Sequence, residues 1–119
     1  LNAALSASAP FRRMPAGARE HFRRGVSIAD VVAELERMHP AIRPLFFKGS
    51  ANKLMHLESE ISVRALLALK NRGVLALPLH DCLLVPRSDL EAAKEELGRA
   101  SLEVVGVDIP TSVSTSPDA

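Results

Sequence analysis

Two short apolar runs separated by a His-Asp pair are the feature that most constrains how this chain can fold. The runs cover residues 74–79 and 82–86, and only His80 and Asp81 lie between them. Runs of this length that are rich in Leu and Val, with a two-residue polar break, are typical of a β-hairpin. Pro78 lacks an amide hydrogen, which places the first strand at a sheet edge or leaves its outward position unpaired. The pattern predicts a hairpin with Asp81 exposed at its tip.

Helical periodicity is found on both sides of this segment. Upstream, Ser50 begins a pattern of apolar residues at intervals of three and four that runs to about Arg72, where Gly73 ends it. Downstream, the sequence from Ser88 to Glu91 has the spacing of a capping box and predicts a helix to about Val105. The long helix is expected to bury residues on more than one side, namely Leu54, Leu57, Ile61, Ala65, Ala68 and Leu69, with Met55, Val63, Leu66 and Leu67. The second helix is expected to bury Leu90, Ala93, Leu97 and Leu102.

The N-terminal part of the chain is predicted to form shorter helices. Pro15 suits the first position of a helix that Gly25 would end. Ser27 and Asp30 have the spacing of a variant capping box, which predicts a helix to about His39. The first third of the chain is therefore expected to be helical.

Together these elements predict an α+β fold. Its helices would pack on the β-hairpin, and residues 107–113 would add a C-terminal strand after Gly106 ends the last helix. Gly98 is expected to weaken the middle of that helix by about 1 kcal/mol relative to Ala. The expected organisation is an N-terminal helical segment, a helix–hairpin–helix–strand unit and a disordered tail, covering residues 1–49, 50–113 and 114–119.

Composition limits the classes of partner. The 119 residues are 47% hydrophobic, which is ample for a core, but they include four Phe and no Trp or Tyr. Platforms for base stacking are therefore scarce. Fifteen basic and fourteen acidic residues give a net charge of +1, so no global field attracts nucleic acid. Five arginines crowd the N-terminal quarter and form either a solvated face or a local basic patch, namely Arg12, Arg13, Arg19, Arg23 and Arg24.

Cysteine content and hydropathy favour a cytoplasmic protein. Cys82 is the single cysteine, so no internal disulfide can form, which suits a reducing compartment. No apolar run approaches the roughly 18 residues that span a bilayer, and the first residues do not resemble a signal peptide. We therefore expect no membrane partner. Because the sequence begins Leu-Asn-Ala-Ala without Met, we also expect a fragment of a longer protein.

Asp81 is the main candidate for a metal-binding residue. A carboxylate at an exposed hairpin tip is placed to hold a hard divalent cation, and the alternative is that it accepts bonds from its own turn amides. Cys82, two residues after His80, is either a thiol nucleophile or a small buried cysteine. Asn52 and Lys53 either meet a phosphate at the start of the long helix or form an ordinary polar first turn.

The order of elements over residues 50–113 resembles the third palm motif of family A DNA polymerases and single-subunit RNA polymerases. In those enzymes a long helix leads into a hairpin whose tip has an apolar-His-Asp sequence, as Leu79-His80-Asp81 does here, and an amphipathic helix and a strand follow. The resemblance implies two-metal phosphoryl transfer. It also implies that Asp81 binds Mg²⁺ and that His80 supports the site near the end of the primer or transcript.

The chain also departs from the family. Cys82 stands where the DNA polymerases have Glu and the RNA polymerases have Ser. The family's first palm motif, with a second metal-binding Asp, and its fingers helix, with Lys and Tyr, are not found upstream. We therefore expect the C-terminal palm portion of a polymerase-like nucleotidyltransferase that is inactive alone and depends on the missing upstream segments. Nucleic acid would be the partner, contacted by Asn52, Lys53, Arg12 and Arg13.

A second interpretation stays open for function. The chain would then be a non-catalytic small α+β module that binds its partner through the arginine-rich N-terminus or an edge strand. The sequence leaves the oligomeric state open under both interpretations.

Overall fold

The computed structural model describes residues 1–115, and this part of the chain has the predicted α+β fold. Four α-helices and one two-stranded antiparallel sheet are found in these residues. They are α1 (Asn2–Ser6), α2 (Ile28–Met38), α3 (Ser50–Asn71), β1 (Leu77–Leu79), β2 (Cys82–Leu84) and α4 (Leu90–Val105). Three short 3₁₀ turns cover Arg19–His21, Arg43–Leu45 and Arg87–Asp89. The chain divides into two compact units, one ending at Leu54 and the other beginning at Met55.

The predicted capping box of α2 is confirmed. The amide of Asp30 donates to Ser27 Oγ at 3.1 Å, and the amide of Ser27 donates to Asp30 Oδ2 at 2.9 Å. These two bonds satisfy amides that the first turn of a helix leaves without partners. The Ser27 hydroxyl also donates to Asp30, and this bond lowers the pKa of the Asp30 carboxyl. The helix ends at Met38, directly before His39 and Pro40, as the sequence predicts.

Backbone bonds and aromatic contacts hold the first unit together. The amide of Phe47 donates to the carbonyl of buried Ala4 at 2.8 Å, and the amide of Gly49 donates to Ala7 at 2.8 Å. The Phe11 ring meets the Phe47 ring edge-on, with centroids 5.1 Å apart. The N-terminal residues are thereby anchored to the segment that leads into α3.

The predicted helix between Pro15 and Gly25 is wrong. Only the 3₁₀ turn Arg19–His21 forms in this segment. Gly17 has a φ of +75°, which interrupts a right-handed helix just after Pro15. The Arg19 guanidinium donates to the Val26 carbonyl at 2.6 Å, so the segment closes into a loop instead.

Gly73 ends α3 in the predicted way. It has a φ of +74°, and its amide donates to the Lys70 carbonyl at 3.0 Å. The amide of Val74 donates to the Leu69 carbonyl at 2.9 Å. This pair of bonds is the Schellman motif, which needs a left-handed residue and therefore favours glycine. The chain leaves the helix here toward the hairpin.

A cluster of four charged side chains joins the end of α3 to α4. Arg72 Nη1 donates to Glu95 Oε2 and to Glu96 Oε1, both at 2.8 Å. Arg99 Nη1 also donates to Glu96 Oε2, at 3.2 Å. Glu96 is only 3% exposed, so these arginines supply the ion pairs that a buried carboxylate requires. The bond from Arg72 lowers the pKa of the Glu95 carboxyl.

The expectation that α3 is buried on more than one side is wrong. Ala65 and Leu69 are its buried residues. The exposed apolar residues of α3 include Leu54, Met55, Val63 and Leu67, and Leu102 of α4 is exposed as well. A two-stranded hairpin is too small to cover a 22-residue helix. Leu57 and Ile61 keep an intermediate exposure.

The start of α4 differs from the predicted capping box at Ser88–Glu91. The 3₁₀ turn Arg87–Asp89 comes first, closed by a bond of 2.9 Å from the Asp89 amide to the Pro86 carbonyl. Asp89 is then the N-cap residue, and its side chain makes no capping bond. Because Pro86 directs the chain into this turn, Ser88 lies inside it and cannot cap α4.

The predicted C-terminal strand does not form. Gly106, with a φ of +74°, ends α4, and residues 107–115 have no strand. The amide of Ile109 donates to Ser101 Oγ at 3.2 Å, and Pro110 has no amide hydrogen, so neither residue can donate to a sheet. Most of the expected tail, residues 116–119, lies outside the described residues. Within residues 1–115, no helix is both long enough and apolar enough to cross a membrane.

Leu69 should contribute most to the stability of the second unit, since it is fully buried on α3. We expect Leu69→Ala to lower the free energy of unfolding by about 2–5 kcal/mol. Leu67→Ala is the matched control, because Leu67 is 55% exposed on the same helix; its effect should stay within about 0.5 kcal/mol. Urea unfolding followed by circular dichroism measures both, and equal losses would contradict this view of the core.

The lowered pKa of Glu95 predicts an acid-dependent loss of stability. The folded-state pKa lies below the ordinary value of 4.5, so the unfolded chain binds the proton more readily. The stabilisation is therefore complete above the unfolded value and is lost as the pH falls through the folded one.

We expect Glu95→Gln to flatten the decline of stability between about pH 5 and about pH 3. The control is Glu58→Gln, because Glu58 is exposed and has no hydrogen bond within residues 1–115. Urea unfolding across this pH range should show that the free energy of unfolding of the control falls with pH as steeply as that of wild type. If the free energy of unfolding of Glu95→Gln fell with pH as steeply as that of wild type, the Arg72–Glu95 bond would not be the source of the acid-dependent loss.

Candidate functional site

The His-Asp pair forms the turn of the hairpin, as the sequence predicts. In the register of the two strands, Leu79 pairs with Cys82, so the loop contains two residues, His80 and Asp81. The strands are shorter than expected, with three residues each. Pro78 pairs with Leu83, one position away from the pair that closes the turn. Because hydrogen-bonded and non-bonded pairs alternate in an antiparallel ladder, Pro78 falls where no amide is needed.

His80 has a backbone conformation that residues other than glycine rarely adopt. Its φ is +53°, whereas Asp81 has no positive φ. A positive φ at the first turn position alone is the type II′ pattern, which favours glycine there and matches the twist of the strands. Histidine is among the residues that tolerate this region better than most, but it still carries strain. The turn therefore keeps an imidazole at a position where glycine would be more stable.

Asp81 is exposed at the tip, and its carboxylate accepts no hydrogen bond from any residue that the structure describes. An Asp that stabilised its own turn would accept from nearby amides. Its oxygens are instead directed to solvent and open to a ligand. The alternative in which Asp81 accepts bonds from its own turn amides is therefore wrong.

Cys82 is not the small buried cysteine of one of our two interpretations. It is exposed and free, and its Sγ donates to the Leu79 carbonyl at 3.0 Å. That bond spans the base of the turn. The thiol proton is directed into the backbone rather than toward His80, so the structure gives no support for an activated thiolate.

The carboxylates on α3 do not combine with Asp81 into a metal-binding site. Glu60 faces His56 at 3.8 Å on its own helix. Across residues 1–115, no group of three or more His, Cys, Asp or Glu side chains is arranged to hold a metal ion. Asp81 can therefore supply one carboxylate, and water would supply the rest of the coordination shell.

The other predicted site residues belong to the first unit. Asn52 and Lys53 lie in the first turn of α3, where both are exposed and have no side-chain hydrogen bond within the described chain. Arg12 and Arg13 are exposed in the irregular segment before Pro15. His80 and Asp81, in contrast, are adjacent in the second unit. The structure thus brings together the two hairpin residues.

Sequence reasoning missed a groove beside α4. It has a volume of about 560 Å³ and lies between the helix and the extended residues that follow it. A Cβ at Gly98 would lie 3.0 Å from Asp108 Oδ1, so a larger residue would fit there only if this exposed carboxylate moved by a few tenths of an ångström. Gly98 thus allows the close approach of Asp108, and its position in mid-helix was the one sequence signal for the groove. Lys94, Asp108 and Arg99 give it mixed charge.

Comparisons with known proteins found no match: no family model, no curated protein and no solved structure is significantly similar to the chain.

The strain at His80 can be tested by mutation. We expect His80→Gly to raise the free energy of unfolding by about 0.5–1 kcal/mol, because glycine adopts a positive φ without steric cost. Asp81→Gly is the matched control at the neighbouring position, and it should lower stability by about 0.5–1 kcal/mol, since glycine there only adds freedom to the unfolded chain. Thermal and urea unfolding give both values. Destabilisation by His80→Gly would show that the imidazole makes contacts that outweigh the strain.

Proposed function

We propose that the chain is the C-terminal palm portion of a polymerase-like nucleotidyltransferase, an enzyme that performs nucleic-acid-templated phosphoryl transfer in the cytoplasm. The observation that carries this proposal is the exposed His80-Asp81 tip, whose carboxylate accepts no bond from the described residues. The long helix α3 before it and the amphipathic helix α4 after it support the same interpretation. An unbonded carboxylate on a rigid two-residue turn is suited to binding a cation beside substrate phosphates.

Each site residue has a distinct role in this proposal. Asp81 would bind Mg²⁺, and His80 would support the end of the primer or transcript. Asn52 and Lys53 would meet the phosphate backbone at the first turn of α3. When bound, Mg²⁺ would supply charge stabilisation for the transferred phosphoryl group.

The described residues supply too few ligands for a complete site, since Asp81 is the single carboxylate at the tip. Two-metal chemistry needs several carboxylate oxygens. We therefore propose that activity requires further polymerase segments with a second metal-binding Asp and a fingers helix. The chain alone would bind metal weakly and would not catalyse transfer.

A non-catalytic binding module is the second candidate. It is favoured by the lack of a three-ligand group in the described residues and by the exposed arginines of the first unit. The reading frame that encodes this segment discriminates between the two. A polymerase-like protein also encodes a strand that ends in Asp and a helix with Lys and Tyr, whereas a binding module does not.

The metal role of Asp81 can be measured with Mn²⁺ as a paramagnetic probe. We expect Mn²⁺ to broaden the amide resonances of residues 79–82 at millimolar concentration, because one carboxylate and water bind such a cation weakly. Asp81→Asn should abolish the broadening and change stability by less than about 1 kcal/mol.

Glu58→Gln is the matched control, since it removes an exposed carboxylate of the same unit and should leave the broadening unchanged. Thermal melts with and without Mn²⁺ give a second measure. Equal broadening, or equal melting shifts, in wild type and Asp81→Asn would exclude Asp81 as a ligand and remove the main support for the polymerase-like proposal.

A further inference from the structure

Charge is unevenly divided between the two units of the chain. Residues 1–54 contain nine Lys and Arg against four Asp and Glu, whereas the remaining residues contain six against ten. The net charge of +1 therefore conceals a basic first unit. A local field of this kind attracts a polyanion even when the whole chain is nearly neutral.

Several basic side chains of the first unit already have partners. Arg37 pairs with Glu34, and Arg43 lies 3.4 Å from Glu36. Arg19 donates to the Val26 carbonyl. These three arginines are engaged in local structure, so they are not available to bind an external anion without losing a bond.

Four other arginines are available, namely Arg12, Arg13, Arg23 and Arg24. All four are exposed, and none has a side-chain hydrogen bond or ion pair with any residue in 1–115. Four unpaired guanidinium groups within 13 residues leave this segment with positive charge that no carboxylate in residues 1–115 compensates. An anionic partner would compensate it.

Local contacts constrain the backbone on which these arginines lie. The bond from Arg19 to the Val26 carbonyl closes an eight-residue loop, which contains Phe22, Arg23 and Arg24. Phe22 remains 38% exposed in this loop. Before the loop, Arg12 and Arg13 directly follow Phe11, whose ring is fixed against Phe47 at a centroid distance of 5.1 Å.

We propose that these residues, Arg12, Arg13, Phe22, Arg23 and Arg24, form an arginine surface that binds the phosphate backbone of nucleic acid. Guanidinium groups bind phosphate through two parallel bonds, and all the basic residues before Lys48 are arginines. Phe22 offers a ring on which an unpaired base can stack. This inference rests on the nucleic-acid partner of the proposed function, for which Arg12 and Arg13 were expected contacts, and it extends that contact to Phe22, Arg23 and Arg24. It involves neither Asp81 nor a metal.

The structure of the segment favours nucleic acid over an anionic membrane. Binding at a lipid surface usually needs an amphipathic helix that inserts an apolar face. Residues 12–26 contain turns and one three-residue 3₁₀ helix, so they present no such face.

The test measures the salt dependence of binding by the full chain. Fluorescence anisotropy with a labelled DNA duplex of about 20 base pairs, over about 50–200 mM salt, gives the slope of log K against log salt. Each phosphate that an arginine neutralises contributes about 0.9 to that slope. We expect the variant with Arg12, Arg13, Arg23 and Arg24 all changed to Gln to lose about 3.6 from the slope.

The matched control changes four basic residues that already have carboxylate partners, Arg37, Arg43, Arg64 and Lys94, to Gln. It has the same net charge as the first variant, and its slope should stay within about 1 of wild type. The Mn²⁺ broadening of residues 79–82 should persist in the first variant, which separates failure of this inference from failure of the polymerase-like proposal.

The contribution of Phe22 is measured with a labelled single strand. Phe22→Ala should weaken binding to the single strand about tenfold and leave the salt slope unchanged, since stacking releases no counterions. Thermal midpoints of the variants check that each is folded.

Three outcomes would overturn the inference. Equal slopes in the two fourfold variants would show that only net charge matters. A wild-type slope in the first variant would show that the arginine surface makes no phosphate contact. Tighter binding to vesicles of equal parts phosphatidylcholine and phosphatidylserine than to the duplex, at the same salt, would assign the surface to a membrane.

Discussion

The ion pairs of the buried Glu96 carboxylate with two arginines are the interaction on which the second unit depends. Its carboxylate is 3% exposed and is neutralised by Arg72 from the end of α3 and by Arg99 from its own helix. The bond from Arg72 joins two residues that are separated by the whole hairpin. It therefore fixes both ends of the connection that contains the His-Asp turn, and a loop whose ends are held has less freedom to lose when a ligand binds. The hairpin between these ends has only three residues in each strand, so its sheet gives the exposed tip little further support.

The hairpin shows how local strain and exposure coincide at a candidate site. His80 occupies a backbone region that favours glycine. A turn selected for stability alone would have glycine at the first position and a bonded Asp or Asn at the second. Neither is found here. Strained residues cluster at active and binding sites, so this departure from the most stable turn is the physical reason for proposing that the tip is functional.

The first unit carries its charge in a different way. Its bonded arginines shape the chain, as Arg19 does when it closes the loop to Val26. Its unbonded arginines remain at the surface with Phe22. Arginines in the same segment thus have different roles: Arg19 stabilises the loop, whereas Arg23 and Arg24 remain free to bind a partner. Only the hydrogen-bond partners in the structure distinguish them. The arginine surface and the hairpin tip belong to different units and can be tested independently.

The sequence by itself determined the elements whose signals are local. The Ser27 capping box, the glycine that ends α3 at Gly73 and the two-residue hairpin turn each depend on residues close in the chain, and all were predicted correctly. The exposure of Asp81 at the tip was predicted for the same reason. Its role as a metal ligand stays a prediction, as does the resemblance to a polymerase palm.

Only the tertiary structure decided what depends on distant partners. The C-terminal strand failed because the Ile109 amide bonds to Ser101 Oγ on α4, and periodicity cannot show that a side chain will take an amide from a sheet. The buried part of α3 was overestimated because no element in residues 1–115 covers Met55 and Val63. Apolar periodicity shows only that a helix face could be buried. The burial of Glu96 and the close approach of Asp108 to Gly98 arise from residues that are far apart in the chain or follow the helix, so neither can be derived from local pattern.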